Sequence, residues 1–309
     1  MPEAPRLLGP YRVLESLAAL SAPGLYSGVG SSGAGMVLLK VLPPRAAAAV
    51  DPERFDKEAA AIEALVHPNV LTLLGTGRQG DDVYLAFEYV RARPLEALLK
   101  ERRLSFQDAI TVWKGICRGL QFAHQRGVLH RDLTPRNVFV SDDLTVVKIA
   151  DFGLGRTEVG SLTGTIATSE ITFAALYYQA PEAIENRDRA DVRSDLYSAG
   201  AIFHEMLTGR PPGNRFGLPS QINSDVPSAL DVLVLKCLAR NPDERPRSAG
   251  AILSDLERLE EELRLRFLSE LRDLQTRRLP SPGRRKPWIW IAVAVLVVAL
   301  ATVAVLVLK

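Results

Sequence analysis

The sequence has little cysteine: two residues, Cys117 and Cys237, in a chain of 309. Each sits in an apolar run, WKGICRGL and LVLKCLAR, with no partner at metal or redox spacing. That excludes a disulfide framework and a cysteine-ligated metal, and describes two buried free thiols in a reducing compartment. Excess charge of one sign is missing too. Lys and Arg number 38 against 36 Asp and Glu, a formal net charge of +2. No electrostatic footprint for nucleic acid follows from that. The N-terminal stretch MPEAPRLLGPYRV has no charged segment leading into a long apolar run, so it does not read as a secretory signal. Internal repeats are absent, and the only biased tract is the short run Ala46 to Ala49.

What remains is 47% hydrophobic and 24% charged, the balance of a globular protein. One long apolar run stands apart. WIWIAVAVLVVALATVAVLVL, from Trp288 to Leu308, has no charge and no polar face, and a bilayer core takes roughly 20 apolar residues of helix. Arg284, Arg285 and Lys286 precede it, Trp288 and Trp290 stand at interface level, and only Lys309 follows. The pattern predicts a single-pass C-terminal anchor in the cell membrane, with the preceding domain on the cytoplasmic side. Residues 276–287, which include Pro280-Ser281-Pro282-Gly283, read as a basic juxtamembrane linker.

The densest chemistry lies between Val128 and Gly153, VLHRDLTPRNVFVSDDLTVVKIADFG. It holds His130-Arg131-Asp132, Asn137 five positions after Asp132, and Asp151-Phe152-Gly153. Phosphoryl transfer needs a carboxylate to orient the attacking hydroxyl and accept its proton, with oxygen ligands to hold Mg²⁺ on nucleotide phosphates. Asp132 suits the first task. Asn137 and Asp151 suit the second, because Mg²⁺ prefers hard oxygen donors.

This run resembles the protein-kinase catalytic loop followed by D-F-G. The resemblance implies an α+β, two-lobed fold after a short N-terminal tail (1–10). A small β-rich N-lobe would occupy 11–90 and a large helical C-lobe 91–275. Lys40, in Val37-Leu38-Leu39-Lys40, takes the place of the strand lysine that pairs with the α- and β-phosphates. Asp51 to Val66 reads as a helix, with Asp51 as N-cap and Pro52 at its first position. By resemblance Glu58 on that helix is the partner of Lys40, and Ile62 packs toward Phe152. Val83 to Val90 looks like a strand entering the hinge, with Phe87 as gatekeeper and Glu88 to Val90 offering backbone groups to adenine. Leu25, Leu38, Val90 and Phe139 complete the implied ATP site. His124, at the end of a core helix over Phe106 to Arg126, reads as structural.

Further along, Asp151 to Ala180-Pro181-Glu182 resembles an activation segment. Thr157, Ser161, Thr163, Thr165, Thr168, Ser169 and Thr172 are its hydroxyls. A phosphate on one of them would pair with Arg131. Asp195 would support the catalytic-loop backbone, and Arg245 would pair with Glu182. From Ser248 a long charged helix carries Leu253, Leu256, Leu259, Leu263, Phe267, Leu271 and Leu274 at spacings of three and four, a stripe that also suits a homodimer.

Glycine is missing where the family uses it most. Aligned back from Lys40, the phosphate-covering G-x-G-x-x-G falls on Ala18, Leu20 and Pro23. Leu38 replaces a small residue before Lys40. Thr134 stands where serine/threonine kinases carry a lysine, and Ala175 where they carry a threonine. Every metal-binding and base residue is nonetheless present. The resemblance, closest to membrane-anchored bacterial serine/threonine kinases, implies ATP- and Mg²⁺-dependent phosphorylation of protein Ser and Thr hydroxyls. The alternative reading is a pseudokinase, a membrane-tethered binding or scaffold module.

Overall fold

The computed structural model describes residues 6–17, 24–30, 35–42, 51–152, 176–213 and 216–278. The chain divides into two compact units, the first ending at Leu259 and the second beginning at Glu260.

The first unit begins with a six-stranded antiparallel sheet. Its strands are β1 (Leu7–Leu8), β2 (Tyr11–Ser16), β3 (Leu25–Gly30), β4 (Met36–Val41), β5 (Leu73–Gln79) and β6 (Asp82–Glu88), in the order β1-β2-β3-β4-β6-β5. Tyr11 was expected to open the domain after a tail. Leu7–Leu8 instead pairs with Tyr11 and Arg12, and Leu8 is fully buried, because burying one leucine fixes the short strand on the sheet. One helix, α1 (Pro52–Glu63), accompanies the sheet. Asp51 caps it by accepting from Arg54 N at 3.2 Å, as its sequence predicts. Phe55, Ala59 and Ile62 recur at helical spacing and are buried.

The helical lobe follows a short strand, β7 (Arg93–Pro94), and α2 (Leu95–Glu101). Its central helix is α3 (Phe106–His124), capped by Ser105, which accepts from Asp108 N at 3.1 Å. Trp113 of α3 stacks on Phe203 with ring centroids 4.0 Å apart and donates its indole N–H to Ala199 O at 3.0 Å. Phe203 and Ala199 belong to α5 (Val192–Thr208), opened by a capping box of Asp191 and Ser194. A lesser helix, α4 (Pro181–Glu185), comes just before it. Strand β8 (Val138–Val140) pairs with β7 on one side and with β9 (Val147–Ile149) on the other, and the two carry the segment between Asp132 and Asp151. Gly119 lets α3 come close: a Cβ there would stand 2.6 Å from Asn69 O.

After α6 (Pro219–Ile222) and α7 (Ala229–Cys237), the last helix, α8, runs from Ala249 to Arg278. Within the first unit, Ile252 and Leu256 of α8 are buried, with Leu253 and Leu259 packed against the same core. In the second unit Leu265, Phe267, Leu268 and Leu271 are exposed. The domain was expected to reach residue 275; the first compact unit ends at Leu259. Among the described residues no helix is long and apolar enough to cross a membrane. The run 288–308 and its basic flank lie outside the described residues, as do Ala18, Leu20, Pro23, Gly153, Ala175 and the hydroxyls from Thr157 to Thr172.

Candidate active site

The site is assembled around Asp195, a carboxylate at the first turn of α5 that is buried to 1% exposure. It accepts from the backbone N–H groups of His130 and Arg131, each at 2.8 Å, and shares a 2.8 Å bond with His124 Nε2. Burial alone would push its carboxyl up. The bond to His124 and the nearby imidazoles and N–H groups outweigh that and hold it below the usual range. These bonds fix Arg131 at φ 66°, a left-handed conformation that a non-glycine residue adopts only when its surroundings over-determine it. His124 is thus structural, as expected.

His130 carries the fixing one step further. It is fully buried, with Nε2 2.8 Å from Ala150 O and Nδ1 accepting from Asp132 N at 3.3 Å. Only a neutral ring, protonated at Nε2, satisfies both bonds. Burial lowers its pKa accordingly. Its ring also sits 4.9 Å from that of Phe152, which is buried at 1% exposure.

Asn137 is tied to Asp132 and to Ala150, the residue before Asp151. Asn137 Nδ2 donates to Asp132 O at 2.7 Å, and Ala150 N donates to Asn137 O at 2.8 Å. Asp151 itself sits at φ 64°. Burial, and then the Asp151 charge, push the Asp132 carboxyl up to about 7. The Lys40 and Arg187 charges act in the opposite direction.

Lys40 is delivered by β4, between Leu25 of β3 and Leu85 of β6. Its expected partner was Glu58. The structure corrects this: Lys40 Nζ is 2.5 Å from Asp151 Oδ2, with both side chains about one-sixth exposed at 15% and 16%. Glu58 Oε1 instead accepts from Arg54 Nε at 3.2 Å, one turn earlier on α1, and Glu58 Oε2 is buried without a hydrogen bond. The local i,i+4 pairing holds one Glu58 oxygen, and the lysine pairs with Asp151. Ile62 and Phe152 do share one apolar cluster.

Leu38 and Phe139 are buried in that cluster, and Leu25 and Val90 pack on it half-buried. Glu88 is placed less simply than a bare hinge residue. Its N–H donates to Thr72 O at 3.0 Å, and its carboxylate accepts from Thr72 N and Lys148 Nζ, each at 2.8 Å. Burial would raise that carboxyl, but the Lys148 and Thr72 bonds hold it below the usual range. Lys148 and Arg54 were not read from the sequence. Lys148 had a visible signal, three residues before Asp151, whereas Arg54 is an ordinary polar residue whose partner only the fold supplies.

Glu182 receives a bidentate bond from Arg245, at 2.7 and 2.8 Å, and a third from Ser194 Oγ at 2.7 Å. This expected pair locks α4 behind Gln179. Among the described residues no group of three or more His, Cys, Asp or Glu side chains could hold a metal ion by itself.

Comparison with known proteins agrees with this geometry. The protein kinase domain family matches residues 24–256. A probable serine/threonine-protein kinase of Clostridium perfringens is 34% identical over 224 residues, 68% of this chain and 32% of that protein. The serine/threonine-protein kinase PknB of Mycobacterium tuberculosis is 34% identical over 245 residues, 72% of this chain and 38% of PknB. The chain thus spans only 32% to 38% of the length of these relatives. In fold it is similar to the crystal structure of the Mycobacterium tuberculosis PknI kinase domain, at a TM-score of 0.66 and 24% identity over 84% of this chain and 99% of that one. The match of the protein kinase domain over residues 24–256, most of the chain, places it in the protein kinase family.

Proposed function

We propose that the chain is a serine/threonine protein kinase that transfers the γ-phosphate of ATP to protein hydroxyls. The observation that carries the reading is the position of Asn137, bonded to the Asp132 carbonyl at 2.7 Å and to the N–H of Ala150, the residue before Asp151, at 2.8 Å. In this reading Asp132 receives the substrate hydroxyl and its proton. A carboxyl pushed up to about 7 suits a base working near neutral pH. Lys40 lies 2.5 Å from Asp151, within reach of phosphates held there. The apolar surfaces of Leu25, Leu38, Val90 and Phe139 would take the adenine, with hinge backbone at Glu88 to Val90.

The donor set fits Mg²⁺. Asn137 spends its Nδ2 on Asp132 O, so its amide oxygen remains the ligand, beside the Asp151 carboxylate; both are hard donors. Bound there, Mg²⁺ would supply positive charge against the transferring phosphate. The test is transfer of label from radioactive ATP to the protein or to myelin basic protein. Label on serine and threonine that is lost with EDTA is expected.

One observation favours a second reading. Lys40 engages Asp151 rather than Glu58, an arrangement that also suits a nucleotide-binding scaffold. That reading wins if ATP raises the melting temperature while no label transfers.

The proposal includes a membrane anchor at 288–308 with the kinase domain cytoplasmic, supported by the uncharged run and the basic residues before it. Exposed Leu265, Phe267, Leu268 and Leu271 support self-association of the chain as a homodimer. Full-length protein is expected to resist alkaline carbonate extraction from membranes and to sediment as a dimer in mild detergent. Release by carbonate would sink the anchor, and a monomer would sink the dimer.

A further inference from the structure

Lys148 has no part in the chemistry described so far. It stands on β9, three residues before Asp151 and opposite Phe139 of β8. Residues directly opposite in a strand pair share a face, so Lys148 lies on the face of a side chain assigned to the adenine. Only 14% of the lysine side chain is exposed. Its Nζ donates to Glu88 Oε1 at 2.8 Å and to Val70 O at 3.2 Å.

These two acceptors belong to different parts of the first lobe. Val70 lies in the connection between α1 and β5, which is bonded along β9. There Leu71 N donates to Ile149 O at 2.8 Å and Ile149 N to Asn69 O at 3.0 Å. Glu88 is the last residue of β6, where the chain enters the hinge. It is held to the same connection twice, its N–H donating to Thr72 O at 3.0 Å and its carboxylate accepting from Thr72 N at 2.8 Å. That carboxylate is held below its usual range and is ionised at neutral pH, so the Lys148 bond is charge-assisted. Backbone bonds thus join β9 to the connection, and the lysine carries the tie on to the hinge.

We propose that Lys148 is a positioning residue for ATP, on the kinase reading above: through Glu88 it fixes the hinge relative to the strand that delivers Asp151. The two ends of the nucleotide site, hinge backbone for adenine and Asp151 for the metal and phosphates, are then spaced before ATP arrives. Binding does not have to order them. Without the ammonium, Glu88 keeps its bonds to Thr72, and the bonds that place Asp132 and Asn137 are untouched. The loss therefore falls on ATP binding and spares the transfer step.

The test uses the full chain in detergent, with radiolabelled ATP, Mg²⁺ and myelin basic protein. Lys148→Met keeps a long apolar stem and removes the ammonium. It is expected to raise KM for ATP about tenfold while kcat changes less than about threefold. Lys148→Arg, which still donates to a carboxylate, should bring KM back to within about threefold of wild type. Glu88→Gln keeps an acceptor for Thr72 N and gives up the charge. It should raise KM on its own but add less than about twofold to Lys148→Met, because both changes break one bond. A wild-type KM in Lys148→Met, full additivity of the two changes, or a fall in kcat with KM unmoved would overturn the proposal and leave the kinase reading intact. An unlabelled wild-type reaction would instead remove the kinase reading, and the role of Lys148 with it.

Discussion

Asp132→Asn protein is expected to transfer phosphate about a thousandfold more slowly than wild type, the usual worth of a positioned general base. Asparagine has the size and shape of aspartate, and the bonds that hold this residue in the loop use its backbone. His130 Nδ1 still receives its N–H and Asn137 Nδ2 still reaches its carbonyl. The fold should therefore be unchanged, and the variant should melt within about 2 °C of wild type, the shift that about 0.5 kcal/mol gives in a domain of this size. Only proton acceptance is lost. Initial rates of label transfer at saturating ATP, beside a thermal melt of the same preparation, make the check. A rate within tenfold of wild type would show that Asp132 is not the base; a melt lowered by several degrees would show that the loss is structural.

Much of this arrangement was legible in the sequence because the residues concerned act through their immediate neighbours. Asp51 caps the helix it begins, and the turn Pro135–Asn137 needs only its own backbone to bring Asn137 beneath Asp132. Glu182 and Arg245 are 63 residues apart, yet each stands in a distinctive local motif. Contacts decided by competition were not legible. Lys40 had two acidic side chains to choose between, and no spacing rule tells which wins when Arg54 already holds one. The strand Leu73–Gln79 was legible only in part. Val70 to Leu74 reads as a strand leading into a glycine-containing turn, but the strand of the structure begins at Leu73 and runs on through both glycines to Gln79 at the sheet edge. A Cβ at Gly77 would come within 2.3 Å of the Tyr84 hydroxyl, so glycine here makes room for a tyrosine rather than ending a strand.

Replacing Arg245 by alanine should have the largest effect on stability. Its side chain is wholly inaccessible and makes five bonds: two to Glu182, and one each to the carbonyls of Ala239 (2.8 Å), Arg193 (3.1 Å) and Arg240 (3.2 Å). The guanidinium also lies 4.9 Å from the centre of the Tyr197 ring. In the native protein these bonds, with Ser194, hold the Glu182 carboxyl below its usual range although burial would raise it. Alanine leaves a half-buried carboxylate with only Ser194, three carbonyls without their donor, and a cavity. Breaking a buried pair from one side costs about 3–5 kcal/mol. At about 2–4 °C per kcal/mol for a domain of this size, the melting temperature should fall by roughly 10 °C. Arg245→Lys should recover little, since one ammonium cannot reproduce the planar fork on Glu182 and also reach three carbonyls. Glu182→Gln, by contrast, keeps an acceptor for the arginine and should cost less than either. The effect should extend to catalysis, because Glu182 anchors the helix that follows Gln179. At a temperature where Arg245→Ala is still folded, its kcat should fall while KM for ATP holds. If kcat stays whole while the melt drops, the anchor serves the fold alone, and Asp132 is aligned from the catalytic loop without help from the segment before A-P-E.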